Sequence, residues 1–403
     1  MTDTPRHHTR RLLLSLGICI VVVLAAVAHD RLSKAAITLK PHVTYQQQSV
    51  SAEKSLAWPT TGQAAIGAQR YGVLASTSNQ KPLPTASVAK LITALVVLDK
   101  KPITLGTEGS TITMTQQDVD LYNHYVSQDG SVVPVAVGEQ LTEQQILEGM
   151  LLPSANNLAD SLATWAFGSL SAYQAYANKW LSAQGLSQTH VGSDASGLSP
   201  DTTSTATDLV HLGELALNNP AITKIASMTS ADIPIAGTVN NVNGLLGTDG
   251  INGLKTGNST QAGGVFLFSA PYTVSPSHNV TIIGAVMQSP SLYQGMINGL
   301  TLLRSAQAAF AYQVVMPAHT TIATYSQPWG NSVKAVSQTA VSAITWQGKP
   351  LNQPTIKIAA VTPPKPANSS VGTVTYDKNT AEKTDVVLAQ PITKPPILWR
   401  LGH

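Results

Sequence analysis

A single cysteine, Cys19, occurs in the 403 residues. No disulfide can close within the chain, and no site built on several thiolate ligands is available. Charge is scarce as well: Asp, Glu, Lys and Arg together make 11% of the sequence, against roughly 25% in an average soluble protein. Ser, Thr, Asn and Gln must then supply the polar exterior, a composition associated with proteins that work outside the cell. Neither sign dominates, since 24 basic and 21 acidic side chains leave a net +3. No basic stripe marks a nucleic-acid footprint, so nucleic acid is excluded as a partner. The ten histidines are scattered, with His7 and His8 adjacent and no pair at helical ligand spacing. A zinc enzyme is not expected. Apolar residues, in contrast, make 43% of the chain. That suffices for real cores and rules out wholesale disorder, and the length suits two domains.

One apolar run stands apart. Leu12 to Ala28 is uncharged over 17 residues and follows Arg6, Arg10 and Arg11. It sits at the short edge of a spanning helix and slightly above the usual secretory core. Basic residues before it favour an N-terminus left in the cytoplasm and a chain delivered outward. Ala26-Val27-Ala28 before His29 offers a small-residue cleavage site, so residues 1–28 read as a signal peptide or a signal anchor. Ile18, directly before Cys19, is bulky where a lipoprotein signal places a small residue. Either way the protein is expected to be exported: membrane-anchored by its N-terminus, or secreted after cleavage near Ala28.

Residues 29–57 are polar, contain QQQSVSAEKS, and read as a spacer. From 58 to 314 helical and strand-like patterns alternate. SVAKLITALVVLDKK has apolar positions at helical spacing and closes on lysines suited to a helix C-terminus. LTEQQILEGMLL opens on Thr142 as N-cap, and STATDLVHLGELALNN on Ser204 or Thr205. NLADSLATWAFGSL and SAYQAYANKWLSAQ continue helically, and MINGLTLLRSAQAAFAYQ closes the region as a helix. GSTITMT and GSVVPVAV alternate like short strands, while GGVFLFSAPY and NVTIIGAVMQ read as neighbouring buried strands. From 315 to 403, TTIATY, SVKAVS, AVSAITW, TIKIAAV, VGTVTY and DVVLAQ are short strands between turn residues, a second, all-β domain. Its last stretch, Pro395 to His403, is too short and Pro-broken for a membrane anchor. Anchoring falls to the N-terminal segment, and the tail is expected to be a stalk or docking surface.

Three short motifs could carry chemistry. Ser87-Val88-Ala89-Lys90 begins the first long helix, where a serine and a lysine three apart share a face. A serine in a first turn also has unpaired backbone N–H groups nearby, able to hold an oxyanion. Ser154-Ala155-Asn156 follows Leu151-Leu152-Pro153, where the proline stops one helix before the next begins. Lys255-Thr256-Gly257 precedes Asn258-Ser259-Thr260 and the apolar strand from Val265, and its glycine lets a ligand approach a strand closely. Taken singly, these read as a solvated helix face, a helix stop with an N-cap serine, and an ordinary turn. Together, in this order, with Ser154 67 positions after Ser87 and Lys255 101 positions further on, they match the signature of serine β-lactamases and penicillin-binding proteins, with Ala155 in place of an aspartate.

Gly138-Glu139-Gln140-Leu141-Thr142 through LLPSANNLADSLA resembles the approach to the second motif in serine D-alanyl-D-alanine carboxypeptidases, the low-molecular-mass penicillin-binding proteins. Asp194-Ala195-Ser196-Gly197-Leu198-Ser199-Pro200 before STATDL, and Gly253-Leu254-Lys255-Thr256-Gly257 with Ala262-Gly263-Gly264, are similar to further stretches of that family. The resemblance covers roughly residues 58–314. It implies an α/β (α+β) catalytic domain of the serine β-lactamase/penicillin-binding transpeptidase type, followed by the small all-β domain. It also implies peptidoglycan stem peptides ending in D-Ala-D-Ala as substrate, β-lactams as inhibitors, and no cofactor. Ser87 would be the nucleophile, Lys90 its base, Ser154 the proton relay and Asn156 the group orienting the substrate amide. Lys255 would keep the site positive, and Thr256 would hydrogen-bond the terminal carboxylate beside Gly257. The backbone N–H groups of Ser87 and Asn258 would form the oxyanion hole.

The sequence departs from the family at Gly295, which aligns where related enzymes place a carboxylate-binding arginine; recognition there falls to Thr256, Thr260 or an unidentified residue. Asn157 also replaces the usual aspartate. Glu214-Leu-Ala-Leu-Asn218 matches the Glu-x-x-Leu-Asn pattern of the deacylating glutamate in class A β-lactamases, but lies 60 positions after Ser154 in a helical pattern. It reads as helix surface. The competing functions are a β-lactamase and a non-catalytic wall-binding protein with a relict site, which both lysines and both serines argue against.

Overall fold

The computed structural model describes residues 6–33, 37–104, 106–376 and 382–402. The first five residues of the N-terminal segment, residues 34–36 of the spacer, and residues 377–381 and 403 of the tail lie outside the described residues. The chain divides into two compact units. One holds Ser51–Tyr312 with Ile344–Gly348; the other holds Met1–Val50, Gln313–Ala343 and Lys349–His403.

Helix α1, Arg6–Ser33, belongs to the second unit. Its large apolar side chains from Leu12 to Leu24 are all more than half exposed, and among the described residues it alone is long and apolar enough to cross a membrane. An uncovered apolar surface of that length fits a signal or an anchor. The same unit contains a six-stranded antiparallel sheet in the order Pro41–Val43, Thr321–Tyr325, Val333–Ser337, Lys383–Leu388, Ser370–Thr375, Thr355–Ile358. Ile322, Tyr325, Val333, Ala335, Val374, Val386 and Leu388 form part of its core. The stretch read as a polar spacer contributes to this sheet. Pro41 to Val43 pair with Tyr325 to Ala323, and Leu39 bridges Val361. Three residues including a proline carry no strand periodicity, so nothing in the local pattern reveals them. A short helix, Ile397–Gly402, follows the last prolines, where the sequence showed only a broken end.

The other unit is built on a five-stranded antiparallel sheet in the order Gly253–Ser259, Gly263–Ser275, His278–Ser289, Gln63–Ala68, Gly72–Ser76. Helices cover both faces, which explains the unbroken apolar run Val265–Phe268. On one face Leu267 and Ile283 approach Gly213 of α7 (Ala206–Leu217); on the other Phe266 and Phe268 lie against Gly299 of α9 (Leu292–Gln307). The remaining helices are α2 (Ala89–Lys100), α3 (Gln116–Val126), α4 (Glu143–Leu151), α5 (Asn156–Phe167), α6 (Leu170–Ala183) and α8 (Pro220–Ala226). Every residue of α2 from Ala89 to Leu98 is buried, so it is a core helix with no wet face. Thr142 caps α4 by accepting the Gln145 N–H, and Thr205 caps α7 by accepting the Asp208 N–H.

Two local readings need correction. GSVVPVAV forms no strand. The backbone of Val133 pairs instead with the Asn157 side-chain amide, N–H to Oδ1 at 3.1 Å and Nδ2 to the carbonyl at 2.8 Å, so one amide group takes the place of a strand neighbour. The closing helix also begins earlier and ends sooner than its apolar pattern implied. Ser291 caps it by accepting the Gln294 N–H, and Phe310–Met316 is a strand.

Close packing across the sheet gives a stability prediction. A Cβ on Gly284 would stand 2.1 Å from the Phe268 ring. Gly284→Ala should therefore destabilise this unit by about 1–3 kcal/mol, the usual cost of overpacking, as a lower urea midpoint; an unchanged midpoint would show that the ring can shift freely.

Candidate active site

Ser87 lies in a 3₁₀ turn, Ala86–Val88, that leads straight into α2. The preceding Ala86 has φ 45°, a left-handed conformation that a non-glycine adopts only when its surroundings enforce it. Two contacts do so. The Thr85 N–H donates to the Thr202 carbonyl at 3.0 Å, and Gly197 packs so closely that a Cβ there would be 2.2 Å from the Ala86 oxygen. One turn on, the Lys90 amine reaches the Ser87 Oγ at 2.9 Å, the Asn156 Oδ1 at 2.7 Å and the Ser196 carbonyl at 3.0 Å.

Asn156 is the first residue of α5, and its N–H donates to the Ser131 carbonyl at 2.7 Å. Gly130 leaves room for it: a Cβ there would be 2.7 Å from the Asn156 Nδ2. Ser154 is buried, with φ 69°, which turns the tripeptide away from the axis of α4. Ser87, Lys90 and Asn156 thus form one hydrogen-bonded cluster, with Ser154 two residues from Asn156.

The third motif arrives from the sheet. Gly253–Ser259 is its outermost strand, so one backbone edge has no strand partner. A Cβ on Gly257 would lie 2.8 Å from the Thr85 oxygen and 3.1 Å from the Ser87 nitrogen. Only glycine lets the strand come this close to the serine turn. Lys255, two residues earlier, projects from the same side of the strand and is buried, its amine donating to the Thr256 carbonyl at 3.0 Å. Thr256 is buried beside it, whereas Asn258 is exposed. Thr260 is exposed in the turn that follows the strand.

Burial controls the charges. Desolvation holds the Lys90 amine well below the ordinary lysine range, and the Lys255 charge lowers it further, while Asp194 and Asp160 oppose both. Burial brings Lys255 down to about 7. It also raises the Asp160 carboxyl to about 6, against hydrogen bonds from Tyr125 and the Ala195 N–H. Asp160, Asp194, Ser196 and Tyr125 were not singled out from the sequence as site residues. The available signal was helical spacing, since Asp160 is four residues after Asn156 and shares its face.

Glu214 and Asn218, flagged in the sequence, lie elsewhere. Glu214, on α7, accepts the Arg70 N–H at 2.5 Å, and Asn218 accepts from the Gln69 side chain at 3.2 Å. Both partners belong to the turn between Gln63–Ala68 and Gly72–Ser76. Gly295, on α9, faces Gly264, where a Cβ would sit 3.4 Å from the backbone, and Gly264 is the strand partner of Asn258. No group of three or more His, Cys, Asp or Glu able to hold a metal occurs among the described residues.

Comparison with known proteins bears on the family and the fold. A family model described as D-alanyl-D-alanine carboxypeptidase matches residues 48–291, more than half of the chain. The D-alanyl-D-alanine carboxypeptidase DacB2 of Mycobacterium tuberculosis is 31% identical over 166 residues, which span 40% of this chain and 52% of that one. The D-alanyl-D-alanine carboxypeptidase of Streptomyces sp. strain K15 is 29% identical over 225 residues, 52% of this chain and 73% of that one. The chain thus spans about half the length of the first of these relatives. Among solved structures, the D-alanyl-D-alanine carboxypeptidase DacD of Francisella tularensis superposes with a TM-score of 0.58 at 18% identity, over 91% of this chain and 98% of that one. The fold is that of the penicillin-binding DD-peptidases, with helices on an antiparallel sheet and a small all-β part.

The buried lysines imply a measurable pH dependence. Lys255 titrates at about 7 in the folded chain against 10.5 in the unfolded one, so over that window the unfolded state binds more protons. Stability should therefore rise with pH between about 7 and 10. In urea unfolding, Lys255→Met should flatten that rise, leaving the part due to Lys90; an identical slope would mean that Lys255 is not desolvated.

Proposed function

The chain belongs to the D-alanyl-D-alanine carboxypeptidase family, and on that premise we propose that it is an exported serine carboxypeptidase. It removes the terminal D-Ala from peptidoglycan stem peptides through an acyl-enzyme on Ser87, and β-lactams acylate the same serine. The observation that carries this reading is the Lys90 amine, 2.9 Å from the Ser87 Oγ, in surroundings that favour its neutral form.

In this mechanism Ser87 attacks the carbonyl of the penultimate D-Ala while Lys90 takes the hydroxyl proton. The oxyanion of the tetrahedral intermediate is held by the backbone N–H groups of Ser87 and Asn258. Collapse breaks the C–N bond. Ser154 relays the proton held by Lys90 to the departing D-Ala nitrogen, which leaves Lys90 neutral again, and Asn156 orients the substrate amide. Lys255, brought down to about 7, supplies positive charge at and below neutral pH, and Thr256 or Thr260 binds the terminal carboxylate. Water then attacks the ester, giving a proton to Lys90, which passes it to the departing Ser87 oxygen and so restores the hydroxyl. Every step uses residues of this chain, so no cofactor is needed. Helix α1 serves as membrane anchor or cleaved signal, and the β-rich region from 315 onward as a stalk or docking surface. A β-lactamase is disfavoured because the Glu214 carboxylate is engaged at the Arg70 turn, which leaves a penicilloyl ester without a dedicated base.

Three variants test the reading. Ser87→Ala should abolish both penicillin labelling and D-Ala release from a diacyl-D-Ala-D-Ala peptide; persistent labelling removes Ser87 from its role. Lys90→Ala should slow acylation by roughly 10²–10⁴-fold, the usual contribution of a positioned base, and a near-normal rate excludes it. Glu214→Gln should leave the lifetime of the penicilloyl-enzyme unchanged. A much longer lifetime in that variant would favour the β-lactamase.

A further inference from the structure

The Lys90 amine has three oxygen neighbours, and only one belongs to the nucleophile. A neutral amine carries two N–H bonds and one lone pair. If the Asn156 Oδ1 and the Ser196 carbonyl accept the two N–H bonds, the lone pair is left facing the Ser87 hydroxyl, the orientation a base requires. Asn156 is fixed by α5. Ser196 lies on a loop, and a loop carbonyl needs its own support.

That support is unusually dense. The Asp194 Oδ1 accepts the Ser196 N–H at 2.7 Å, the Ser196 hydroxyl at 2.8 Å and the Gly197 N–H at 2.5 Å. Its Oδ2 accepts the Ser199 N–H at 2.7 Å. Ala195, between them, donates its N–H to the Asp160 Oδ1 at 2.8 Å and accepts from the Thr93 hydroxyl of α2 at 2.6 Å. Asp160 in turn accepts the Tyr125 hydroxyl at 2.6 Å. The same loop carries Gly197, which abuts Ala86 beside the nucleophile. One half-buried carboxylate thus ties together the turn that touches both Ser87's neighbour and Lys90.

We propose that Asp194 is a positioning residue: it sets the Ser196 carbonyl and thereby aims the lone pair of Lys90 at Ser87. The inference rests on the carboxypeptidase reading for its chemistry, but its geometry stands independently. The groups facing the Lys90 amine electrostatically are Lys255 from the sheet, Asp160 from α5 and Asp194 from this loop. Removing the Asp194 charge leaves Lys255 less opposed, and displacing Ser196 removes an acceptor. Both favour the neutral amine.

The test uses the full chain and its Asp194→Asn and Asp194→Ala variants. Two quantities are read: the pH profile of penicillin acylation, and the titration midpoint of Lys90 by NMR with carbon-13-labelled lysine, its signal assigned by loss in Lys90→Ala. Acylation at neutral pH should fall at least about tenfold, a share of the roughly 10²–10⁴-fold that a positioned base contributes. The loss should be greater for Ala than for Asn, which retains one acceptor oxygen. The Lys90 midpoint and the acid limb of the profile should both move to lower pH. A folded variant with wild-type acylation and an unmoved midpoint overturns the proposal, as does an equal loss at every pH with the midpoint unmoved. Should Asp194→Ala fail to fold, Asp194→Asn carries the test. A wild-type chain that penicillin does not label sinks the carboxypeptidase reading instead, and the midpoint then decides the role of Asp194.

Discussion

The Lys90 side chain is withdrawn from water, yet its amine meets three oxygens, and much of the catalytic unit is arranged around that burial. An ammonium in such a place is costly unless it is paired with a carboxylate. Here the partners in direct contact are neutral, and a second lysine, Lys255, is buried close enough to lower it further. Asp160 and Asp194 make no hydrogen bond to the amine; they act on it as charges at a distance and through the loop they hold. The arrangement tolerates a lysine while denying it a direct counter-ion. That separates the proposed base from a structural ion pair.

Holding the cluster in place requires backbones to approach more closely than side chains allow. Gly257 brings the outer strand onto the serine turn, Gly197 brings the 194–199 loop onto Ala86, and Gly130 makes room for Asn156. These three contacts converge on the site from a sheet edge, a loop after α6 and a loop after α3. Ala86 stays at φ 45° because its neighbours leave it no alternative. The conformational cost at the serine turn is offset by the core around α2, whose residues from Ala89 to Leu98 are all buried.

Similar spacing can lead to different outcomes. Ser87 and Lys90 form a local pair, readable because three residues of helix return a side chain to the same face. Glu214 and Asn218 obey helical spacing as well, yet α7 directs them to the turn that follows the Gln63–Ala68 strand. GSVVPVAV alternates like a strand, but the Asn157 amide takes up the backbone of Val133. Pro41 to Val43 lacks any strand pattern and still completes a sheet. In each case a partner distant in sequence overrides the local preference, because strand pairing and side-chain capping satisfy backbone groups wherever a donor and acceptor meet.

By itself the sequence determined the elements with strong periodicity, the apolar N-terminal run, the serine–lysine pair and the order of the three motifs. These rest on local rules of helix face, strand alternation and turn residues, which act within a few positions along the chain. Only the tertiary structure decided which oxygens surround Lys90, that Lys255 is buried near it, and that Asp194 and Asp160 brace the loop behind Lys90. Those facts depend on desolvation and on contacts between residues as far apart as Lys90 and Ser196. Burial and long-range contact are properties of the packed chain, and no local pattern encodes them.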